Sequence, residues 1–125
     1  MTALVDTSVL IDHLRGHSAA ASLLERERLA APLHASEITR LEVLAGMRPA
    51  EEDATRALLS TLRWHPVDTD IAEEAGALGR RWLPSHHTID GADLAIAATV
   101  IRTGARLLTR NIRHFPMFPG LAAPY

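Results

Sequence analysis

The chain has 125 residues, of which 47% are hydrophobic and 22% charged, with a formal net charge of −2. These values are typical of an ordinary soluble globular protein with a single domain at 1–125, and the absence of cysteine excludes disulfides and thiolate metal sites. No apolar run reaches the roughly 18 to 20 residues of a membrane span, and the N-terminus lacks a signal-peptide pattern, so we expect a cytoplasmic protein without membrane association.

The pattern predicts six helices. Each has Ser, Thr, Asp or Glu near its first residue, and most are followed by Gly or Pro. They run from the cap Thr7 or Ser8 to about Arg15, from Ser18 to about Leu29, from Glu37 to Met47 after the cap Ser36, from Glu51 to Arg63, from Asp70 to about Leu83, and from the cap Asp90 to about Thr103.

Short apolar segments between these helices are predicted strands. They are ALV within Met1–Asp6, Leu33–Ala35, Trp64–Val67 and Arg106–Thr109. Helices that alternate with short apolar strands indicate an α/β fold with a largely parallel sheet. In such folds, functional sites form beyond the carboxyl ends of the strands.

Three acidic residues lie where packing normally excludes charge. Asp6 directly follows the first strand, Glu42 lies between two apolar residues of the third helix, and Asp93 lies in a helix that is apolar on nearly every side. Alone, Asp6 fits a helix cap equally well. Three such acids on separate elements favour a shared cation. Oxygen ligands without cysteine suit Mg²⁺ or Mn²⁺ rather than zinc.

Two further polar residues flank this predicted cation site. Asp90 lies three residues before Asp93, and we interpret it as the cap of that helix. Asp93 also has a purely structural explanation, which is an ion pair with Arg102 or Arg106. Asn111 follows the last predicted strand, and its amide oxygen can ligate a hard cation.

The basic residues are unevenly distributed. All 13 are arginine, and residues 94–125 contain four of them and no acid. The four are Arg102, Arg106, Arg110 and Arg113. Such a segment suits a polyanion, although it also suits a solvated face. His86 and His87 lie in a predicted loop without other ligands at zinc spacing, so we interpret them as exposed.

Four blocks of the sequence together resemble the motifs of PIN-domain proteins. They are VDTSVLID at 5–12, ITRLEVLAG at 38–46, DGADLAIAAT at 90–99 and LLTRNIRHF at 107–115. They follow the family order and spacing over nearly the whole chain. More narrowly, they are similar to VapC, the toxin of VapBC toxin–antitoxin pairs. The resemblance implies a three-layer α/β/α sandwich around a short, largely parallel sheet.

The resemblance also implies a site. Asp6, Glu42 and Asp93 match the three acids that bind the metal and serve catalysis. Asn111 matches a fourth catalytic position, where family members have Asp or Asn. His114 stands where some members with that Asn carry Asp, so the fourth carboxylate is missing at both places, and the number of metal ions stays open.

The activity implied by the resemblance is endoribonuclease cleavage by a water that Mg²⁺ or Mn²⁺ activates. Its substrates would be structured RNAs, either transfer RNA or ribosomal RNA. From the charge distribution alone, the four C-terminal arginines are the residues expected to bind them. The implied partners are a VapB-type antitoxin and a second copy of the chain in a homodimer. The alternative is a catalytically weak PIN domain that mainly binds RNA or the antitoxin.

Two other classes with an acid after the first strand are excluded by particular residues. A haloacid-dehalogenase-type phosphatase needs a second aspartate two positions after Asp6, where this chain has Ser8. A response-regulator receiver needs a lysine beside its acids, and the chain contains none.

Overall fold

The fold is built on a parallel sheet, seen in a computed structural model that describes residues 2–125. Its strands are β1 (Ala3–Val5), β2 (Leu33–Ser36), β3 (Arg63–His65) and β4 (Arg106–Leu108). They stand in the order β3-β2-β1-β4, and every neighbouring pair is parallel. The predicted parallel sheet is therefore confirmed. Met1, with which the first predicted strand begins, lies outside the described residues.

Six α-helices lie within residues 2–125. They are α1 (Thr7–Leu14), α2 (Ser18–Ala30), α3 (Glu37–Ala45), α4 (Glu52–Leu59), α5 (Thr69–Trp82) and α6 (Gly91–Thr103), accompanied by short 3-10 turns at Pro49–Glu51 and Ile112–His114. The predicted cap Ser36 accepts a hydrogen bond from the Ile38 backbone N–H at 3.2 Å. Gly104 ends α6 with a φ of +68°, a conformation that favours glycine. Over the same residues, no helix is long and apolar enough to cross a membrane.

The fourth helix is shorter than its sequence predicts. It ends at Leu59 rather than Arg63, because Arg63 already belongs to β3, where it pairs with His34 of β2. The predicted strand Trp64–Val67 is correspondingly shifted towards the N-terminus. Helical periodicity extends into this segment, but the hydrogen bonds that β2 offers decide its conformation.

The start of α1 also differs from the prediction. Asp6, rather than Thr7 or Ser8, occupies the N-cap position, although its side chain makes no capping hydrogen bond. Thr7 and Ser8 are already helical, and both of their hydroxyls bond to acidic side chains.

The sheet separates two hydrophobic cores. Alternate residues of a strand face opposite sides, so Ala3 and Val5 join one core and Leu4 joins the other. The first core is filled from α1 to α4, mainly α1 and α2, and the second from α6 and the C-terminal segment around Phe115. Helices therefore cover both faces of the sheet, which confirms the predicted three-layer α/β/α architecture.

Candidate active site

Asp6 lies at the carboxyl end of the central strand β1. It is only 2% exposed, and its Oδ2 accepts hydrogen bonds from Ser8 Oγ and Thr109 Oγ1, both at 2.7 Å. Thr109 directly follows β4, so the parallel pairing of β1 and β4 brings these groups together. Among residues 2–125, the side-chain hydrogen bonds of Asp6 all go to Oδ2, which leaves Oδ1 for another partner.

Glu42 approaches the same edge of the sheet from α3. Its Oε1 accepts a hydrogen bond from Thr7 Oγ1 at 2.7 Å, and Thr7 Oγ1 also lies 3.0 Å from Thr39 Oγ1. Burial raises the pKa of Glu42, the Thr7 bond opposes this, and the negative charges of Asp90 and Asp6 raise the pKa further. The charges of both aspartates therefore act against the ionisation of Glu42.

Asp93 is held at the start of α6 by a reciprocal pair of hydrogen bonds with Asp90. The Asp93 backbone N–H donates to Asp90 Oδ1 at 2.8 Å, and the Asp90 backbone N–H donates to Asp93 Oδ2 at 3.1 Å. This is a capping box, so the predicted cap Asp90 is confirmed and Asp93 completes it. Burial raises the pKa of Asp93 to about 6, and the Asp90 charge contributes to the rise.

The side chain that contacts Asp93 is His114, not Arg102 or Arg106 as the sequence suggested. His114 Nδ1 lies 3.1 Å from Asp93 Oδ2. From the sequence, His114 was notable only because it stands where a fourth acid could have been. The signal in the sequence that pointed to this position was its place in the block at 107–115, where the resemblance implies Asp in some family members.

Asn111 lies beside this cluster but is not drawn into it. The residue is exposed and occupies the N-cap of the 3-10 turn Ile112–His114. Its backbone N–H donates to Thr109 Oγ1 at 2.9 Å. The geometry thus gathers Asp6, Glu42, Asp90 and Asp93 into one acidic cluster with Asn111 at its rim, and we call these four acids the acidic cluster.

Two of the four C-terminal arginines lie far from the acidic cluster. Arg102 is in the last turn of α6, and Arg106 begins β4, whereas the cluster lies at the first turn of α6 and beyond the ends of the strands. Arg102 Nη2 lies 3.3 Å from Asp70 Oδ2, and Arg106 Nη2 lies 2.5 Å from Glu27 Oε1. The structure therefore does not bring these two side chains to the site.

The other two arginines are closer to the cluster in the chain but differ in orientation. The Arg110 side chain is directed towards Asp12, with Nη1 3.6 Å from Asp12 Oδ2, and its Cζ lies 4.7 Å from the centre of the Tyr125 ring. Arg113 is exposed and directly precedes His114. Of the four, Arg113 is the one that adjoins in the chain a residue contacting the acidic cluster.

The donor chemistry of the cluster fits a hard divalent cation. Its donors are carboxylate oxygens, Asp6 keeps one oxygen available, and the mutual repulsion at Glu42 and Asp93 would be relieved by positive charge. As the side chains stand, no three His, Asp or Glu residues within 2–125 converge closely enough to hold a metal ion. Binding would therefore require side-chain adjustment, and His114 would have to share or release Asp93.

A family model for the PIN domain matches residues 3–118, and the chain therefore belongs to the PIN-domain family. Ribonuclease VapC19 of Mycobacterium tuberculosis is 50% identical over 123 residues, which cover 98% of each chain. Ribonuclease VapC10 of the same organism is 42% identical over 122 residues, covering 98% of this chain and 92% of the relative. Within this family, the chain is thus similar to proteins of the VapC type, as the sequence motifs indicated.

Solved structures agree with this assignment. A toxin–antitoxin complex from Klebsiella pneumoniae contains a chain that is 34% identical, with a TM-score of 0.82 and coverage of 99% of this chain and 98% of that one. VapBC2 from Rickettsia felis, bound to a DNA fragment from its promoter, contains a 23% identical chain with a TM-score of 0.80, covering 98% and 97%. The second similarity supports the fold alone.

Proposed function

We propose that this protein is a metal-dependent endoribonuclease of the VapC type, which hydrolyses phosphodiester bonds in structured RNA. The observation that carries the proposal is the acidic cluster, which gathers carboxylates from three separate elements at one edge of the sheet. Two of these carboxylates, Glu42 and Asp93, have raised pKa values because burial and neighbouring acids oppose their ionisation. A structural role alone does not explain why so much negative charge is collected there.

Asp6, Glu42 and Asp93 would hold the cation, which we take to be Mg²⁺ or Mn²⁺. When bound, such an ion positions a phosphate group and promotes the deprotonation of water. The chain's own contribution is orientation. Thr109 and Ser8 hold one oxygen of Asp6, Thr7 holds one oxygen of Glu42, and the capping box fixes Asp93.

Substrate and partners are proposed from the relatives. Two similar proteins are named ribonucleases, and a 34% identical chain occurs in a toxin–antitoxin complex. We therefore propose transfer RNA or ribosomal RNA as the substrate, a VapB-type antitoxin as the inhibitor, and a homodimer as the assembly. Cytoplasmic location and a single domain at 1–125 also remain predictions.

A second candidate function is binding without efficient cleavage. It is favoured by the absence of a fourth carboxylate, since Asn111 is an amide and His114 occupies the other position. The contact between His114 and Asp93 also engages an oxygen that a cation would need.

The deciding experiment is RNA cleavage by the purified protein with Mg²⁺ or Mn²⁺, compared with Glu42→Gln and Asp6→Asn. Loss of a group that acts directly in catalysis typically costs about 100-fold or more in kcat. Glu37→Gln is the matched control, because Glu37 lies on the same helix as Glu42 but is paired with Arg40, whose Nε lies 2.6 Å from Glu37 Oε2. We expect this control to stay within about threefold of the unchanged protein.

Cleavage that survives Glu42→Gln and Asp6→Asn, or that persists in excess EDTA, would contradict the proposed mechanism. RNA binding without cleavage, insensitive to both substitutions, would establish the second candidate. Sequencing of the cleavage ends from cells that express the protein would identify the RNA.

A further inference from the structure

A second feature of the molecule adjoins the acidic cluster without belonging to it. It is a cleft of about 340 Å³ between the loop that precedes α6 and the 3-10 turn that follows β4. Its main lining residues are Ser85, His86, His87, Thr88, Ile112 and Arg113. We call it the His–Arg cleft. One wall includes His86 and His87, which the sequence pattern predicts to be exposed loop residues.

Both walls of the His–Arg cleft lead into the acidic cluster. On one side, Thr88 lies two residues before Asp90, the cap of α6. On the other side, Arg113 directly precedes His114, whose Nδ1 contacts Asp93 at 3.1 Å. The lining of this cleft is therefore continuous in the chain with both Asp90 and the residue that contacts Asp93.

The chemistry of the lining is opposite to that of the acidic cluster. None of its lining residues is acidic, and they supply hydroxyl, imidazole and guanidinium groups. Of the four C-terminal arginines, Arg113 alone has no carboxylate within 4.0 Å among residues 2–125. Its charge is thus available to a ligand. A guanidinium group and imidazole rings are groups that bind phosphate and stack on unpaired bases.

One imidazole of the cleft is held in place. His86 Nδ1 lies 2.8 Å from Ser85 Oγ, and its ring packs edge-on against Trp82 at a centroid distance of 5.6 Å. These contacts leave Nε2 as the nitrogen available to a ligand. Restraining a side chain before binding reduces the entropy that binding costs.

We propose that the His–Arg cleft is a binding subsite for the RNA strand adjoining the scissile phosphate, with Arg113 paired to a backbone phosphate and His86 and His87 lining the strand's path. The choice of RNA rests on the proposed function. The physical need is charge compensation, since a polyanion must approach four acids and Arg102, Arg106 and Arg110 are directed elsewhere.

The test is binding of a fluorescein-labelled single-stranded oligoribonucleotide in EDTA, where metal-dependent cleavage is blocked. Arg113→Gln should raise Kd about fivefold to tenfold and flatten the salt dependence by about 0.7 in log–log slope, the value for one lost phosphate contact. His87→Glu, which puts a carboxylate into the cleft, should raise Kd about tenfold or more. Arg28→Gln is the control and should leave Kd unchanged. Arg28 is exposed near the end of α2, shortly before β2 begins, whereas the cleft follows the end of β4.

Kinetics supply a second readout in the presence of Mg²⁺ or Mn²⁺. Arg113→Gln should raise KM by a similar factor and change kcat by less than about twofold, because the contact is remote from the reacting atoms. Unchanged thermal unfolding of each variant verifies that the fold is intact. A fall in kcat with constant KM would overturn the proposal.

The remaining outcomes separate this proposal from the proposed function. If the protein cleaves RNA and Glu42→Gln abolishes cleavage, but Arg113→Gln and His87→Glu bind RNA normally, the subsite is refuted and the nuclease stands. If no cleavage occurs but both variants lose RNA affinity, the subsite stands and the nuclease is refuted. If both variants bind RNA normally but lose affinity for polyglutamate, the cleft binds an acidic protein segment instead.

Discussion

The ionisation of Asp93 should make the metal-free protein less stable as pH rises. The side chain is buried, and its pKa is raised from 3.8 to about 6. Because the folded-state value lies above the unfolded one, the carboxyl binds its proton more tightly in the folded protein. Its contribution to stability is fully present below pH 4 and is lost as pH rises through about 6. Asp93→Asn removes this dependence while keeping a side-chain oxygen that can accept the capping hydrogen bond from Asp90.

The size of the effect follows from the two pKa values. Their difference corresponds to an upper bound of about 3 kcal/mol, at about 1.4 kcal/mol per pKa unit. The Asp93 carboxyl contacts Asp90 and His114, and interacting groups do not act on stability independently, so we expect roughly 1 to 3 kcal/mol. A domain of this size changes its Tm by about 4 °C per kcal/mol. The Tm of Asp93→Asn minus that of the unchanged protein should therefore rise by roughly 4 to 12 °C when the pH is raised from 4 to 8.

The assay is thermal unfolding in EDTA at a series of pH values, with Asp70→Asn as the control. Asp70 is an exposed acid in the first turn of α5, so its substitution should give no comparable pH-dependent difference. Adding Mg²⁺ or Mn²⁺ at pH 8 should stabilise the unchanged protein more than Asp93→Asn, since ligand binding stabilises the folded state. A Tm difference that is the same at pH 4 and pH 8, or a variant that is less stable at pH 8, would refute the reasoning.

Two further predictions concern single hydroxyl groups. Thr109→Val removes the hydroxyl that holds Asp6 Oδ2 and leaves the Asn111 backbone N–H without its partner. It should lower kcat roughly tenfold and the free energy of unfolding by about 1 to 3 kcal/mol. Thr109→Ser keeps the hydroxyl and should retain most of both in the same assays. Tyr125→Phe removes the bond from the Tyr125 hydroxyl to Asp12 Oδ2 at 2.8 Å, which should lower stability by about 1 kcal/mol and Tm by roughly 4 °C. An unchanged Tm would mean that this hydrogen bond does not stabilise the fold.

The element order was predictable because it rests on local signals. The cap Ser36 and the glycine after α6 mark helix ends that the structure reproduces. The run of apolar residues around Asp93 predicts a buried helix, and α6 is buried from Asp93 to Val100. Helices alternating with apolar strands then predict the parallel sheet, since parallel strands need crossover connections.

The errors in the element boundaries have a non-local cause. Arg63 continues a helical pattern, yet it joins β3 because β2 lies beside it with unpaired backbone groups. The energy of that pairing comes from residues about thirty positions away. Local propensity is weaker than such tertiary interactions.

The sequence by itself determined which acids could form a site, because only a few carboxylates occur in apolar surroundings or directly after a strand. It also determined the family, through four motifs in order. Tertiary structure alone decided what surrounds each charge. It directs Arg102 and Arg106 to Asp70 and Glu27, and it places His114 against Asp93. An ion pair depends on distances of a few ångström between side chains, and those distances are set by packing of elements far apart in the chain.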